Sequence, residues 1–431
     1  MKPSATNAMQ PRPQDRFSPE GTRDFGPAEQ ARRLAVCGEL HQRIASYGYE
    51  AVGTPLFEYE WILGAGVSPE VGGSPVRFVE PDSGRIAVLR PDVTPQLARL
   101  AATQLSASPR PLRLAYEGTL FRRPHERARH ARQTLQVGFE YFGPRQVGAW
   151  VEVLTLVHDA LARLSVTPIR LEVGLPSLCD ALLTRSLKSF QDGEPAAQRL
   201  RQACVDALTR RDSARLEELI AIRPELTKLA EWGAAPVRAG SWRASPQAKG
   251  VDAPELDAFL DQLPAAVCDV TLIDLAQTFG LGIYNGPTFH AYAGSSALPV
   301  GRGGVYESAF DEPAVGFAFN VEALLSAGAQ VQVEARPHLI ASASVEQDVL
   351  RQLRDAGLRV TQHFDEAGIT SPGGSHAAPS AEDAWLLDQS GTSLRLRASE
   401  SAEVFVVSTD DVLTLQAVIA QSRDAKETAC R

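Results

Sequence analysis

Arg132-Gln133-Thr134-Leu135-Gln136-Val137-Gly138-Phe139-Glu140-Tyr141-Phe142 alternates along its whole length. Arg132, Thr134, Gln136, Gly138 and Glu140 fall on one side, and Gln133, Leu135, Val137, Phe139 and Tyr141 on the other. A period of two marks a strand, because successive side chains of extended backbone point to opposite faces. Just upstream, Leu112 to Arg122 is also strand-like, and Arg123 to Ala131 joins the two. The spacing predicts an antiparallel hairpin with a long basic tip. Alternation by itself describes a half-solvated strand whose polar side meets water. Around it, however, stand Arg122, Arg123, Arg127, Arg129 and Arg132, and such crowding of guanidinium groups suits a phosphate or a carboxylate.

A second polar cluster precedes the hairpin: Leu89-Arg90-Pro91-Asp92-Val93-Thr94-Pro95-Gln96. Two prolines stiffen the backbone around an acid and a hydroxyl, a pair able to capture an amino group. The plainer alternative is that Asp92 or Thr94 caps a helix starting near Pro95.

Further upstream, Leu34, Cys37, Leu40, Ile44 and Tyr47 recur at steps of three and four, predicting one apolar face of a helix that Gly48 ends. Tyr49 to Phe57 then reads as a strand interrupted by Pro55, and proline belongs at a sheet edge or an interface where no ladder donor is needed. The order of helix, strand and proline suggests a dimerising element. Downstream, Cys179 to Leu263 is helical in pattern, broken by a Gly/Ala/Pro/Ser-rich stretch from Gly233 to Gly250. Strand patterns return at Val267 to Leu275, Thr288 to Tyr292 and Ala314 to Phe319. The last hundred residues change character. Leu339 to Ala343 and Leu358 to Phe364 read as strands around a helix at Val345 to Ala356. A loop from Ser371 to Ala381, a hairpin around Gly391, a strand at Val404 to Val407 and a helix from Asp411 follow. The expected organisation is a disordered polar tail over residues 1–16, a core over 17–330 with a helical insertion at about 175–265, and a small α/β domain over 331–431.

With 431 residues, 44% of them hydrophobic and 22% charged, the chain is long enough for one large core and a satellite domain. The five cysteines, Cys37, Cys179, Cys204, Cys268 and Cys430, are odd in number and form no CxxC pair, which suggests neither a disulfide framework nor a zinc knuckle and fits a reducing cytoplasm. No HExxH is present, and no metal is expected. The tail has no apolar run of signal-peptide type, and no segment approaches membrane-span length. A formal net charge of −9 argues against a surface devoted to nucleic acid, which needs a basic stripe.

Taken together, Pro19-Glu20-Gly21-Thr22-Arg23-Asp24, the run Arg90 to Arg99, and the hairpin from Phe121-Arg122 to Gln136-Val137-Gly138-Phe139-Glu140 resemble the core of class II histidyl-tRNA synthetases. Tyr284-Asn285-Gly286 and the stretch from Gly303-Gly304 to Ala314-Val315-Gly316-Phe317 extend the resemblance to roughly residues 17–330. The order and spacing of five segments carry it. It implies an α+β fold, an antiparallel sheet with flanking helices. It also implies roles: Asp92, Thr94 and Gln136 match positions that hold the amino group of bound histidine, although the family usually has Glu where Asp92 stands. Glu140 and Tyr284 match the imidazole contacts, and Arg122 matches the arginine that meets the carboxylate and the α-phosphate.

The departures point away from catalysis. Where the family carries an arginine in an RGLDYY-like segment, this chain has Phe279-Gly280-Leu281-Gly282-Ile283-Tyr284, and where it carries a GLER-like segment, Asn320-Val321-Glu322-Ala323. The GGRYD-like segment is Gly303-Gly304-Val305-Tyr306-Glu307. Adenylation builds negative charge at a phosphate, and each lost preorganised cation costs orders of magnitude in rate. A histidine pocket kept without its catalytic arginines resembles the family of ATP phosphoribosyltransferase regulatory subunits. That resemblance implies a chain with no catalytic residues and no cofactor. Such a chain is a required partner of the short-form catalytic subunit at the first step of histidine synthesis, in a hetero-octamer of four plus four built on a dimer. Histidine is its feedback effector, and it binds neither tRNA nor membrane. The competing readings are an active histidyl-tRNA synthetase and a pseudo-synthetase that serves as an interaction module with an empty pocket. Against the first, residues 331–431 hold nine Lys or Arg and fifteen Asp or Glu, a net charge of −6 that suits an anticodon arm poorly.

Overall fold

The computed structural model describes residues 18–19, 21–64, 75–122, 131–186, 195–233, 235–281, 283–331, 338–364, 384–398 and 404–408. The polar tail, most of the basic hairpin tip, the loop from Ser371 to Ala381 and the helix from Asp411 lie outside the described residues. The chain divides into two compact units, Met1–Val331 and Gln332–Arg431.

In the first unit the strands, numbered along the chain, are β1 (Glu50–Ala51), β2 (Phe57–Tyr59), β3 (Val76–Val79), β4 (Ile86–Leu89), β5 (Leu112–Phe121), β6 (Gln133–Phe142), β7 (Ile169–Gly174), β8 (Val237–Arg238), β9 (Thr271–Asp274), β10 (Tyr284–Ala293), β11 (Gly301–Glu307) and β12 (Pro313–Asn320). Nine of them form one sheet in the order β1-β5-β6-β12-β11-β10-β7-β9-β8, while β2, β4 and β3 form a small sheet of their own. From β5 to β7 across the large sheet every pairing is antiparallel. The hairpin of β5 and β6 pairs from Leu112 opposite Phe142 to Phe121 opposite Gln133.

Two helices cover the back of this sheet. Pro27–Ser46 buries Val36, Cys37, Leu40 and Ile44, and Val147–Arg163 buries Trp150, Val153, Leu154 and Val157. They meet a row of odd-numbered side chains, Val137 and Phe139 of β6, Val305 of β11, and Val315, Phe317 and Phe319 of β12, in one core. At roughly 1.5–3 kcal/mol for each large apolar side chain removed from water, this layer is what holds the sheet. Gly48, at φ +80°, ends the first helix as expected. Leu34 does not join its buried face: it is 62% exposed, and Val36 takes the inward position.

The front of the sheet overturns the half-solvated reading of β6. Helix Thr94–Ala102 lies against it, packing Val93, Leu97 and Ala101 with Leu114, Tyr116 and Tyr306. Glu140, on the polar side of the alternation, is only 3% exposed. Both faces of β6 are therefore covered from residue 137 to 142, while residues 133–136 stay half-buried.

Other expectations shift as well. Tyr49 to Phe57 is not one strand: β1 pairs parallel with β5 at the sheet edge, β2 belongs to the small sheet, and Pro55 lies between them. Val267 to Leu275 begins as a short helix, Ala265–Asp269, before β9. The helical insertion reaches back into the large sheet through β8, which pairs antiparallel with β9.

In the second unit, β13 (His338–Ala341), β14 (Arg359–Gln362), β15 (Ala384–Ser390), β16 (Ser393–Ala398) and β17 (Val404–Ser408) form a sheet in the order β14-β13-β15-β16-β17. Helix Gln347–Asp355 buries Val349, Leu350 and Leu353 in the same core as Leu339 and Leu387.

Candidate functional site

The site is laid out by register. On the front face, Gln136, Gly138 and Glu140 of β6 stand beside Asn320, Ala318 and Gly316 of β12. Those are followed by Arg302, Gly304 and Tyr306 of β11, and then by His290, Thr288 and Tyr284 of β10. Small residues alternate with polar ones, so the long side chains lie over a floor of glycine and alanine. A Cβ on Gly316 would sit 1.9 Å from Glu140 Oε2, and one on Gly138 would sit 2.5 Å from the Tyr116 hydroxyl. Neither position admits a side chain.

Glu140 is the centre of the arrangement. Thr94 Oγ1 donates to Glu140 Oε1 at 2.7 Å, and Tyr306 Oη donates to Oε2 at 2.9 Å. Burial pushes the carboxyl up to about 8, against the two hydroxyl donors that favour its charged form, while nearby Asp92 adds to the rise. A carboxyl kept protonated near neutrality can give or receive a proton at a ligand. Tyr284 lies opposite Tyr306 in the ladder, ring edge to ring face at 6.3 Å, and burial raises its phenol.

Asp92 Oδ1 accepts from the backbone N–H of Thr94 at 3.1 Å, tightening the turn that launches helix Thr94–Ala102. It does not cap the helix: the N-cap position is Val93, with no side-chain bond. The Thr94 hydroxyl is spent on Glu140 instead. Arg122, at the end of β5, donates from Nε to the Pro91 carbonyl at 2.9 Å, tying the hairpin to the Asp92 turn. Gln136 carries a buried Oε1 with no hydrogen-bond partner among the described residues, and so does the Tyr116 hydroxyl. Asp92, Thr94, Glu140 and Tyr284 thus gather around Tyr116 and Tyr306, with Gln136 four residues from Glu140 along β6 and Arg122 bonded to the Asp92 turn. Neither Tyr116 nor Tyr306 stood out in the sequence. Tyr306 follows Gly303-Gly304, and two adjacent glycines hid β11 from any strand pattern.

The positions that depart from the synthetases are filled, each in its own way. The Phe279 ring lies 5.8 Å from that of Tyr284 and 4.9 Å from that of His290. Ala323 sits in the first turn of helix Val321–Ser326, its N–H bonded by the Asn320 side chain at 2.9 Å. Glu322 is bound by Arg33 and by the Leu135 N–H, both at 2.9 Å. Val305 is buried on the back face, away from the site. Among the described residues, no group of three or more His, Cys, Asp or Glu side chains is arranged to hold a metal ion, and no helix is long and apolar enough to cross a membrane.

A large, mainly antiparallel sheet of this kind, with flanking helices, is the architecture of the class II histidyl-tRNA synthetases, and the model of the histidyl-tRNA synthetase family matches residues 21–324. Among curated relatives, an ATP phosphoribosyltransferase regulatory subunit of Anaeromyxobacter sp. is 32% identical over 319 residues, covering 70% of this chain and 89% of that one. A regulatory subunit of Paramagnetospirillum magneticum is 31% identical over 322 residues, 72% of this chain and 81% of its own. The crystal structure of an ATP phosphoribosyltransferase regulatory subunit/histidyl-tRNA synthetase from Bacillus halodurans shares the fold, with a TM-score of 0.69 at 22% identity over 84% of this chain and 96% of that one. The chain belongs to the family of ATP phosphoribosyltransferase regulatory subunits, within the histidyl-tRNA synthetase-like proteins.

Proposed function

We propose that this chain is a non-catalytic histidine sensor, required by a short-form ATP phosphoribosyltransferase for the first step of histidine biosynthesis in the cytoplasm. One observation carries the reading: a buried carboxyl, Glu140, is held by Thr94 and Tyr306 at the floor of the pocket, while Phe279 and Ala323 stand where adenylation needs cations. The chain keeps the means to bind an imidazole and lacks the means to activate it.

In this reading Glu140 and Tyr284 contact the imidazole, because a carboxyl and a phenol together satisfy both ring nitrogens. Asp92, Thr94 and Gln136 serve the amino group, with the unpartnered Gln136 Oε1 as an acceptor for an ammonium N–H. Arg122 serves the carboxylate. The assembly is a hetero-octamer of four plus four that contains a dimer of this chain. Leu56, Phe57, Trp61, Val79 and Ile86, on or beside the small sheet of β2, β4 and β3, are large and exposed. A second copy of this chain is their occupant, since large apolar side chains left exposed on and around one small sheet mark an interaction surface.

The test is a mixing experiment. Added to its catalytic partner, the chain should raise phosphoribosyl transfer to a plateau at a fixed ratio, and Glu140→Ala should relieve histidine inhibition of the complex. A partner equally active alone contradicts the assignment, and inhibition unchanged in Glu140→Ala moves the sensor elsewhere.

A further inference from the structure

We infer that Arg302, with the imidazole N–H of His290, completes beside Arg122 the subsite for the carboxylate of the bound amino acid, taking over the charge that Phe279 cannot supply. The inference rests on the histidine-binding reading of the pocket and names a determinant that the synthetase pattern does not contain.

The register places it. Arg302, Gly304 and Tyr306 lie on one face of β11, so Arg302 projects over the same side of the sheet as the Tyr306 that holds Glu140. Its neighbours across the ladders are His290 on β10 and Ala318 on β12. Beyond Ala318 comes Gly138. Beside the arginine the floor is the small Ala318, and the Tyr116 ring lies over Gly138 beyond it. Four residues of strand, roughly 13 Å at about 3.3 Å each, separate Arg302 from Tyr306. A ligand whose imidazole meets Glu140 has its far end toward the guanidinium, which an arginine stem can reach.

The surroundings of Arg302 lack the partner it calls for. Its guanidinium carbon lies 5.0 Å from the centre of the Phe279 ring, and its side chain is open to solvent. Among the described residues neither Arg302 nor Arg122 has a carboxylate partner, and the two arginines lie close enough to repel one another. An anion between them relieves that repulsion.

His290 supplies an independent observation. It is 7% exposed, and its Nε2 is buried with no hydrogen-bond partner among the described residues. Its tautomer follows from its neighbours. Thr288 Oγ1 donates to Gln277 Oε1, which fixes the amide so that Gln277 Nε2 donates to His290 Nδ1 at 3.1 Å. With Nδ1 accepting, the proton sits on Nε2. Burial, reinforced by Arg302, holds the ring down to about 3, so this donor is neutral throughout the physiological range. A buried N–H without an acceptor is costly, and the edge-on contact of this ring with Phe279 puts it at the ring over which Arg302 lies. One charged donor and one neutral donor, both against the Phe279 ring, are suited to a carboxylate.

The experiment compares histidine with histidinol, which carries a hydroxymethyl group in place of the carboxylate, by calorimetric titration of the full-length chain. Wild type should prefer histidine. In Arg302→Ala the preference should fall roughly ten- to a hundredfold, the worth of a charge-assisted hydrogen bond, with histidinol affinity unchanged. Unchanged histidinol binding also shows that the variant is folded. Arg302→Lys should recover part of the preference, since a point charge keeps the attraction and loses the fork. Discrimination that survives Arg302→Ala overturns the inference and leaves the histidine reading standing. Loss of competition by inorganic phosphate, with discrimination intact, assigns Arg302 to a phosphoryl group and also overturns it. Failure of wild type to bind histidine at all overturns both.

Discussion

Tyr306 Oη donates to Glu140 Oε2 at 2.9 Å across an intervening strand, directly over Gly316. The bond exists because β12 offers no side chain at that point. A Cβ there would lie 1.9 Å from the accepting oxygen.

Gly316→Ala should therefore break the bridge between β11 and β6. Overpacking of this kind costs about 1–3 kcal/mol, and histidine binding should be lost while the large sheet persists. Circular dichroism and thermal unfolding check the fold, and calorimetry checks the ligand. Undiminished affinity would show that the Glu140 geometry is not needed.

Affinity for histidine should peak between about pH 6.5 and 8. A free imidazole titrates near ~6.5, and Glu140 in the unliganded pocket is held up to about 8. Between those values one proton is present for the carboxyl and the imidazole to share. Below the window both carry one, and binding must expel a proton; above it neither does, and binding must take one up. Glu140→Gln should remove the upper limb. A flat profile in the wild type would contradict the shared proton.

The same group fixes the sign of a stability effect. The folded carboxyl holds its proton more tightly than an unfolded one, whose value is 4.5, so unfolding free energy of the unliganded protein should fall as pH rises from 4.5 toward about 8. Denaturant unfolding of the wild type and Glu140→Gln at several pH values measures it. Glu140→Gln should lack this part of the decline, and an equal decline in both would place the titrating group elsewhere.

On the proposed reading, in which Phe279 and Ala323 replace the two arginines of the synthetase pattern, the purified chain should show no histidine-dependent exchange of pyrophosphate into ATP. Exchange at a synthetase-like rate would reverse the functional reading.

Trp61→Asp should convert the dimer to a monomer in sedimentation velocity. Trp61 is 67% exposed in the short helix Glu60–Gly64 that follows β2, and a charge buried there against a second copy would be left unpaired. A wild-type chain that is monomeric at all concentrations would remove this surface from the account.

The sequence by itself determined much of this protein, because period-two alternation and motif order are local facts. The hairpin of β5 and β6, the polar set Asp92, Thr94, Gln136, Glu140 and Tyr284, and the replacements at Phe279 and Ala323 are legible in the chain. What the sequence could not supply was the cover on the second face of β6, since alternation reports which side chains share a face and not what lies over it. Only when helix Thr94–Ala102 docks does Glu140 leave water and keep its proton. Tyr116, Tyr306, His290 and Arg302 were likewise invisible. They come from three different strands, β5, β10 and β11, and their contacts with the site depend on ladder register between residues far apart in sequence. Gly304, one of the pair that erases the strand pattern of β11 in the sequence, is where the Tyr284 ring packs down on the sheet in the fold.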